Sequence, residues 1–264
     1  MLPIKRYGGD LVHYRRDDQG VIEVVDTAGI RSLHFGNRNR QSALCLANPK
    51  KVELSYIRAM LLNLVFRPDP GRVLILGLGG GSLANFFLRH FPDVHLVVVE
   101  YRPAVIEVAR RFFAIPESPQ MELHVGDCRE FIRQAVASGS QHYDHIYIDA
   151  FDMEGLSPSV NQTDFFESCE RLLLPGGSLA INLWGHHRMC LNYSLKLLST
   201  RFAAHSLYLS VPHKENVIGF GLSVPGERNT EEEQQRAMQL QELTGLELPT
   251  FLDTCIPIPE SIRS

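Results

Sequence analysis

The 264-residue chain has no CxxC pair, no block of like charge, no internal repeat and no low-complexity segment. It also lacks any run of the roughly 18 apolar residues that a membrane-spanning helix requires. Each absence removes a class of protein. Five scattered cysteines, Cys45, Cys128, Cys169, Cys190 and Cys255, point to reduced thiols instead of a disulfide framework or a zinc ribbon. The 26 Lys and Arg nearly balance the 30 Asp and Glu, and the net charge of -4 is spread along the chain. Neither a nucleic-acid-binding face nor an acidic tail is indicated. The opening "MLPIKRYGGDLVHYRR" carries charges where a signal peptide would carry its apolar segment. The expectation is a cytoplasmic enzyme with no membrane or nucleic-acid partner. His186 and His187 have no third ligand at metal spacing, so they read as surface histidines and no metal is expected.

What the chain does have is a regular alternation. Short β-like runs over residues 11–46 are separated by turn formers such as Asp17-Asp18-Gln19-Gly20, which predicts a small antiparallel β unit. Residues 52–66 carry apolar positions at helical spacing. Strands are then expected at 73–76, 95–99, 121–125, 143–148 and 178–183, with helices from Ser82 and Pro103 and near 128–137, 163–174 and 186–200. Five such alternations imply an α/β fold, a doubly wound, mostly parallel Rossmann-like sheet. The runs 204–211 and 217–223 are joined by "PHKEN", too short for a parallel crossover, so they should form an antiparallel pair at the sheet edge. Thr230 and Glu233 have the spacing of a capping box ahead of a C-terminal helix. The organisation expected is a β unit over 1–50, a nucleoside-binding core over 51–225, and a helix and tail over 226–264 docked on that core.

In a doubly wound sheet, ligands bind beyond the carboxyl ends of the strands. The first strand runs into Gly77-Leu78-Gly79-Gly80-Gly81-Ser82, whose glycines permit a tight turn. Alone, that turn admits a dinucleotide, an adenosyl sulfonium or no ligand. The second strand ends in Glu100, placed for ribose hydroxyls. A dinucleotide fingerprint needs a third glycine where Ser82 stands. The third strand is followed by "HVGDCREF", so Asp127 is placed to accept from an adenine amino group while the Cys128 backbone approaches the ring. An adenine without a pyrophosphate to cradle favours the adenosyl sulfonium.

The segments "VLILGLGGGS", "VVVE", "HVGDCREF", "YDHIYIDAFD" and "LLLPGGSLAINLW", in this order, resemble the class I S-adenosylmethionine-dependent fold, and specifically the spermidine synthase (polyamine aminopropyltransferase) family, over about residues 20–225. The resemblance implies a transferase using decarboxylated S-adenosylmethionine and a small-molecule amine acceptor, commonly as a homodimer. It also implies that the loop from Asp149 to Asp152 supplies the carboxylates that position the amine and take its proton. Asp152 is the expected base and Asp149 the expected orienting group. The need is chemical: an amine with a pKa near 10 arrives protonated and cannot attack carbon until it loses that proton.

Several positions depart from the family pattern. Ala150 and Phe151 replace the small hydroxylic residues of "DSSDP", and Met153 replaces its proline. Ser82 stands where the resemblance places the Asp of "GGGDG", and "SYIRAM" replaces "YHE", which introduces Arg58. A guanidinium there can hold the carboxylate that only ordinary S-adenosylmethionine carries. Gln41 matches a family glutamine that contacts the nucleoside, and "VPHKENVIGF" offers His213 and Lys214 where the family has an acceptor-site tyrosine. Three outcomes therefore stand open: aminopropyl transfer, methyl transfer from S-adenosylmethionine, and a nucleoside-binding or interaction protein without catalysis. The predicted nucleoside contacts are Gln41, Arg58, Gly77, Gly79, Gly81, Ser82, Glu100, Asp127 and Cys128.

Overall fold

A computed structural model describes residues 4–139, 142–150, 160–223 and 228–263. The chain begins with five strands, β1 (Lys5–Arg6), β2 (Gly9–Asp17), β3 (Gly20–Thr27), β4 (Ile30–His34) and β5 (Ser42–Cys45), which form an antiparallel sheet in sequence order. Two short helices follow, α1 (Ser55–Met60) and α2 (Asn63–Phe66). The single helix expected over 52–66 is thus broken. Around the break the amides reach back three residues, Leu62 N to Ala59 O and Leu64 N to Leu61 O at 3.1 Å each. Residues Ala59 to Val65 are all fully buried, so packing on every side sets the bend.

The second sheet is assembled from β6 (Arg72–Leu76), β7 (His95–Glu100), β8 (Met121–Val125), β9 (Tyr143–Ile148), β10 (Leu173–Trp184), β11 (Ser206–Ser210), β12 (Asn216–Leu222) and β13 (Ile256–Pro257). Its order is β8-β7-β6-β9-β10-β12-β11-β13. The strands from β8 to β10 are parallel; β12, β11 and β13 continue antiparallel. The chain winds outward from β6 to β8 and then returns to β9 on the other side of β6. That reversal opens a crevice above the carboxyl ends of β6 and β9.

The central strands are apolar at successive positions because both faces are covered. Val73, Ile75, Leu96 and Val98 face one layer, containing α1, α2, α3 (Ser82–His90), α8 (Thr230–Thr244) and α9 (Leu248–Thr254). Leu74, Leu76, Val97 and Val99 face the other, built from α5 (Cys128–Ser138), α6 (Thr163–Leu172) and α7 (Arg188–Phe202). Among the described residues no helix is long and apolar enough to cross a membrane.

Helix α4 (Pro103–Phe112) connects the two sheets. Ile106 and Ala109 face the main core, whereas Val105 and Val108 pack with Ile22, Val24, Leu33 and Phe35 of the N-terminal sheet. Arg102 closes this contact, its guanidinium 4.9 Å from the Phe35 ring and 2.7 Å from Asp17. At the C-terminus the predicted capping box is replaced by a neighbour: the Asn229 side chain accepts from Glu232 N, and Glu233 pairs with Arg228. Asn is a strong N-cap, so the cap forms one residue earlier. The tail adds β13 to the sheet edge, a two-residue strand with too little pattern to be seen in sequence.

Candidate active site

The ends of β6, β7 and β9 are tied together by backbone. Gly77 N donates to Val99 O and Asp149 N to Leu76 O, each at 2.8 Å. Gly77 has φ +98, and a Cβ there would stand 2.3 Å from the Asp149 carbonyl oxygen. Only glycine lets the turn lie against the end of β9. Gly81, at φ +76, caps α3, and a Cβ on it would meet Ile115 at 1.9 Å. Gly79 packs on Ser42 with the Gln41 backbone beside it, and Ser42 Oγ accepts from Gly80 N at 2.6 Å. The glycine turn is therefore shaped by protein on both flanks, with β5 as one wall.

Glu100 is 8% exposed and grips this turn. Its Oε2 accepts from Leu78 N at 3.0 Å and its Oε1 from Arg102 N at 2.9 Å. Burial pushes its carboxyl pKa up despite these donors. Lone pairs on both oxygens remain for a diol. Asp127 caps α5 through Oδ1, which accepts from Glu130 N at 3.0 Å, and its other oxygen is unused by the cap. Cys128 follows with a buried thiol pushed up to about 12 by desolvation. It stays protonated and is no nucleophile.

Asp149 lies just beyond β9 and is the most constrained of the predicted residues. Asn182 Nδ2 donates to its Oδ1 at 2.8 Å, and the Tyr56 hydroxyl lies 3.3 Å from its Oδ2. Burial raises its pKa to about 6, with Glu100 adding to the rise and both hydrogen bonds opposing it. Tyr56, itself pushed well up by burial, also reaches the Gln41 carbonyl at 3.1 Å. A phenol has one proton, so these two contacts alternate. Tyr56 donates to Asp149 when the carboxylate is ionised. When Asp149 is protonated it donates to Tyr56, which turns its own proton to Gln41. The pair stays satisfied in both states.

Two predicted residues stand apart from this cluster. Arg58 Nε donates to Glu247 at 2.8 Å, and its Nη1 to the carbonyls of Val52 and Glu53 at 3.1 and 2.9 Å. In this structure its guanidinium is engaged at the start of α9. Ser82 opens α3 and lines a narrow pocket with Ala43, Lys50, Lys51 and Asn85, on the β5 side of the turn. Asp152 lies outside the described residues. Tyr56, Asn182 and Asn216, which the sequence reading did not single out, complete the Asp149 environment. One signal was present: Asn182 is a lone amide within the apolar run "LAINLW".

Known proteins resemble this chain in sequence and fold. The spermine/spermidine synthase domain matches residues 56–227. A polyamine aminopropyltransferase of Chromobacterium violaceum is 34% identical over 235 residues, covering 88% of each chain. An eEF1A lysine and N-terminal methyltransferase of Xenopus laevis is 29% identical over 182 residues, 58% of this chain but 26% of its own. Among solved structures, a probable spermidine synthase of Corynebacterium glutamicum superposes with TM-score 0.73 at 20% identity, covering 95% of this chain and 92% of its own. Human methyltransferase-like protein 13 with SAH gives 0.67 at 25% identity, over 73% of this chain and 93% of its own. With its strand-end acids, glycine turn and buried aspartate in one crevice, the chain belongs to the spermine/spermidine synthase family of transferases.

Proposed function

We propose that the protein transfers an aminopropyl group from decarboxylated S-adenosylmethionine to a primary amine of the polyamine type. The observation that carries this reading is Asp149: a buried carboxylate with pKa about 6, held by Asn182 and Tyr56 at the switch point of the sheet. Glu100 accepts from the ribose hydroxyls and Asp127 from the adenine amino group. The acceptor enters as an ammonium, drawn to the carboxylate, and passes a proton to Asp149. The freed nitrogen attacks the carbon next to the sulfonium, a C–N bond forms, the C–S bond breaks, and the electron pair returns to sulfur. The products are the extended amine and neutral 5′-methylthioadenosine. Raising Asp149 from 3.8 to about 6 narrows its gap to the amine by about two units, or ~3 kcal/mol of proton-transfer cost. We assign the proton-accepting role to Asp149 on this geometry.

Methyl transfer is the second reading, favoured by the methyltransferase relatives but deprived of the Arg58 argument. Incubating the protein with putrescine and each donor separates them. Formation of 5′-methylthioadenosine from the decarboxylated donor supports aminopropyl transfer. S-adenosylhomocysteine and a methylated amine from S-adenosylmethionine, with no 5′-methylthioadenosine, would replace it. Absence of binding to either donor by calorimetry would remove both.

A further inference from the structure

The Asp149 carboxylate is the end of a longer chain of donors. Asn182 Nδ2 donates to Asp149, and Asn216 Nδ2 donates in turn to Asn182 Oδ1 at 2.9 Å. Sheet register makes this chain possible. In the antiparallel pair of β10 and β12, Asn182 lies opposite Ile218 and Trp184 opposite Asn216, so the two asparagines are diagonal neighbours on one face. In the parallel pair of β10 and β9, Ile181 lies beside Ile148, which brings Asp149 level with Asn182. Strands β10 and β12 and the residue that follows β9 each contribute one link.

An amide has two unlike ends. With its nitrogen toward Asp149, Asn182 stabilises the carboxylate; with its oxygen there, it repels it and favours the acid. Nothing within Asn182 itself selects between them. An ionised Asp149 only accepts and so favours the nitrogen itself; once Asp149 is protonated either end fits, and the bias then comes from the partner on the other side of Asn182. We propose that Asn216 is a positioning residue of the transfer reaction: by donating to the Asn182 carbonyl, it holds the Asn182 amide nitrogen on Asp149 and so sets the proton affinity of that carboxylate.

Among the described residues, other groups also face Asp149. Tyr56, from α1, donates to Oδ2 when the carboxylate is ionised; Glu100, from the end of β7, raises its proton affinity by charge; the Gly77 backbone packs against its carbonyl. Of these, Glu100 acts by charge, Tyr56 alternates between Asp149 and the Gln41 backbone carbonyl, and the Asn182 contact has a polarity biased by the side chain of Asn216. The inference deepens the transferase reading, and only its kinetic consequence rests on that reading.

The test is a 13C titration of the Asp149 carboxyl in the full chain, assigned by its loss in Asp149→Asn. Asn216→Leu keeps the branched outline and removes the donor. Asn216→Asp keeps the shape and offers only an acceptor, which turns the Asn182 amide around. The midpoint should rise by about half a unit in the first and by about one unit or more in the second, in that order. The low-pH limb of kcat should move up with it while KM for the donor stays unchanged. Asn216→Ala replaces either variant that does not fold. If the midpoint stays at its wild-type value in folded variants, or kcat falls equally at every pH, the proposal is overturned. A shifted midpoint in a protein that makes no 5′-methylthioadenosine leaves Asn216 in its role and removes the aminopropyl reading instead.

Discussion

Asp149 is costly to the fold, and the proposed reaction draws on the same raised proton affinity that makes it so. Its folded value of about 6 stands above the 3.8 of an ordinary aspartate. Between those values the native chain holds a proton that the unfolded chain has released, so this residue's contribution to stability falls as pH rises through the window. Asp149→Asn removes the charge. It is predicted to stabilise the protein by ~1–3 kcal/mol at pH 8, with the gain vanishing below pH ~4, as measured by thermal unfolding across pH. The same variant should lose about 10²- to 10⁴-fold in turnover, the usual contribution of a positioned proton acceptor. A fully active variant would remove Asp149 from the chemistry. At this scale the sequence showed which acids stand at strand ends, because an acid after an apolar strand is conspicuous. It could not show that Tyr56, 93 residues before Asp149, reaches the same carboxylate.

Among the elements, the strands and most helices were legible for one reason. A parallel sheet covered on both faces needs apolar residues at successive positions, and the helices between need an apolar stripe. Where an element is short or packed on all sides, that reasoning fails, as at the α1–α2 break and in β13. Arg58 shows how element packing redirects a side chain. On a helix beside the expected donor site it looked available for a carboxylate, but α9 supplies Glu247 at 2.8 Å. With both side chains partly exposed, the pair contributes ~1 kcal/mol at most. Arg58→Ala should therefore cost about that much in unfolding and change the KM for either donor by less than about twofold. A large selective change in the KM for S-adenosylmethionine would return Arg58 to the donor site.

At the scale of the molecule, Asp149 and His145 are buried groups on which pH acts with opposite signs. His145, in the first half of β9, donates through Nε2 to the Arg67 carbonyl at 2.8 Å and accepts at Nδ1 from Ser178 and Asn63, and burial lowers its pKa to about 4. Between 6.5 and about 4 the unfolded chain binds the extra proton, so His145 makes stability fall as pH drops. Asp149 does the reverse over nearly the same range, and each is worth ~3 kcal/mol before relaxation of the surroundings. The wild-type melting temperature should accordingly vary little between pH 7 and 4.5 on account of these two groups, and Asp149→Asn should lose stability more steeply on acidification. Equal slopes would show that the two do not offset each other. Hydrophobic periodicity and turn residues, which act over a few neighbours, were enough for the sequence by itself to determine the layered sheet and the row of strand-end acids. Only the tertiary structure decided that the N-terminal sheet packs on α4 and walls the glycine turn, that Arg58 is spent on Glu247, and that Tyr56, Asn182 and Asn216 converge on Asp149. Each of those contacts joins elements distant in the chain, and no local pattern records where a side chain ends once strands and helices are packed.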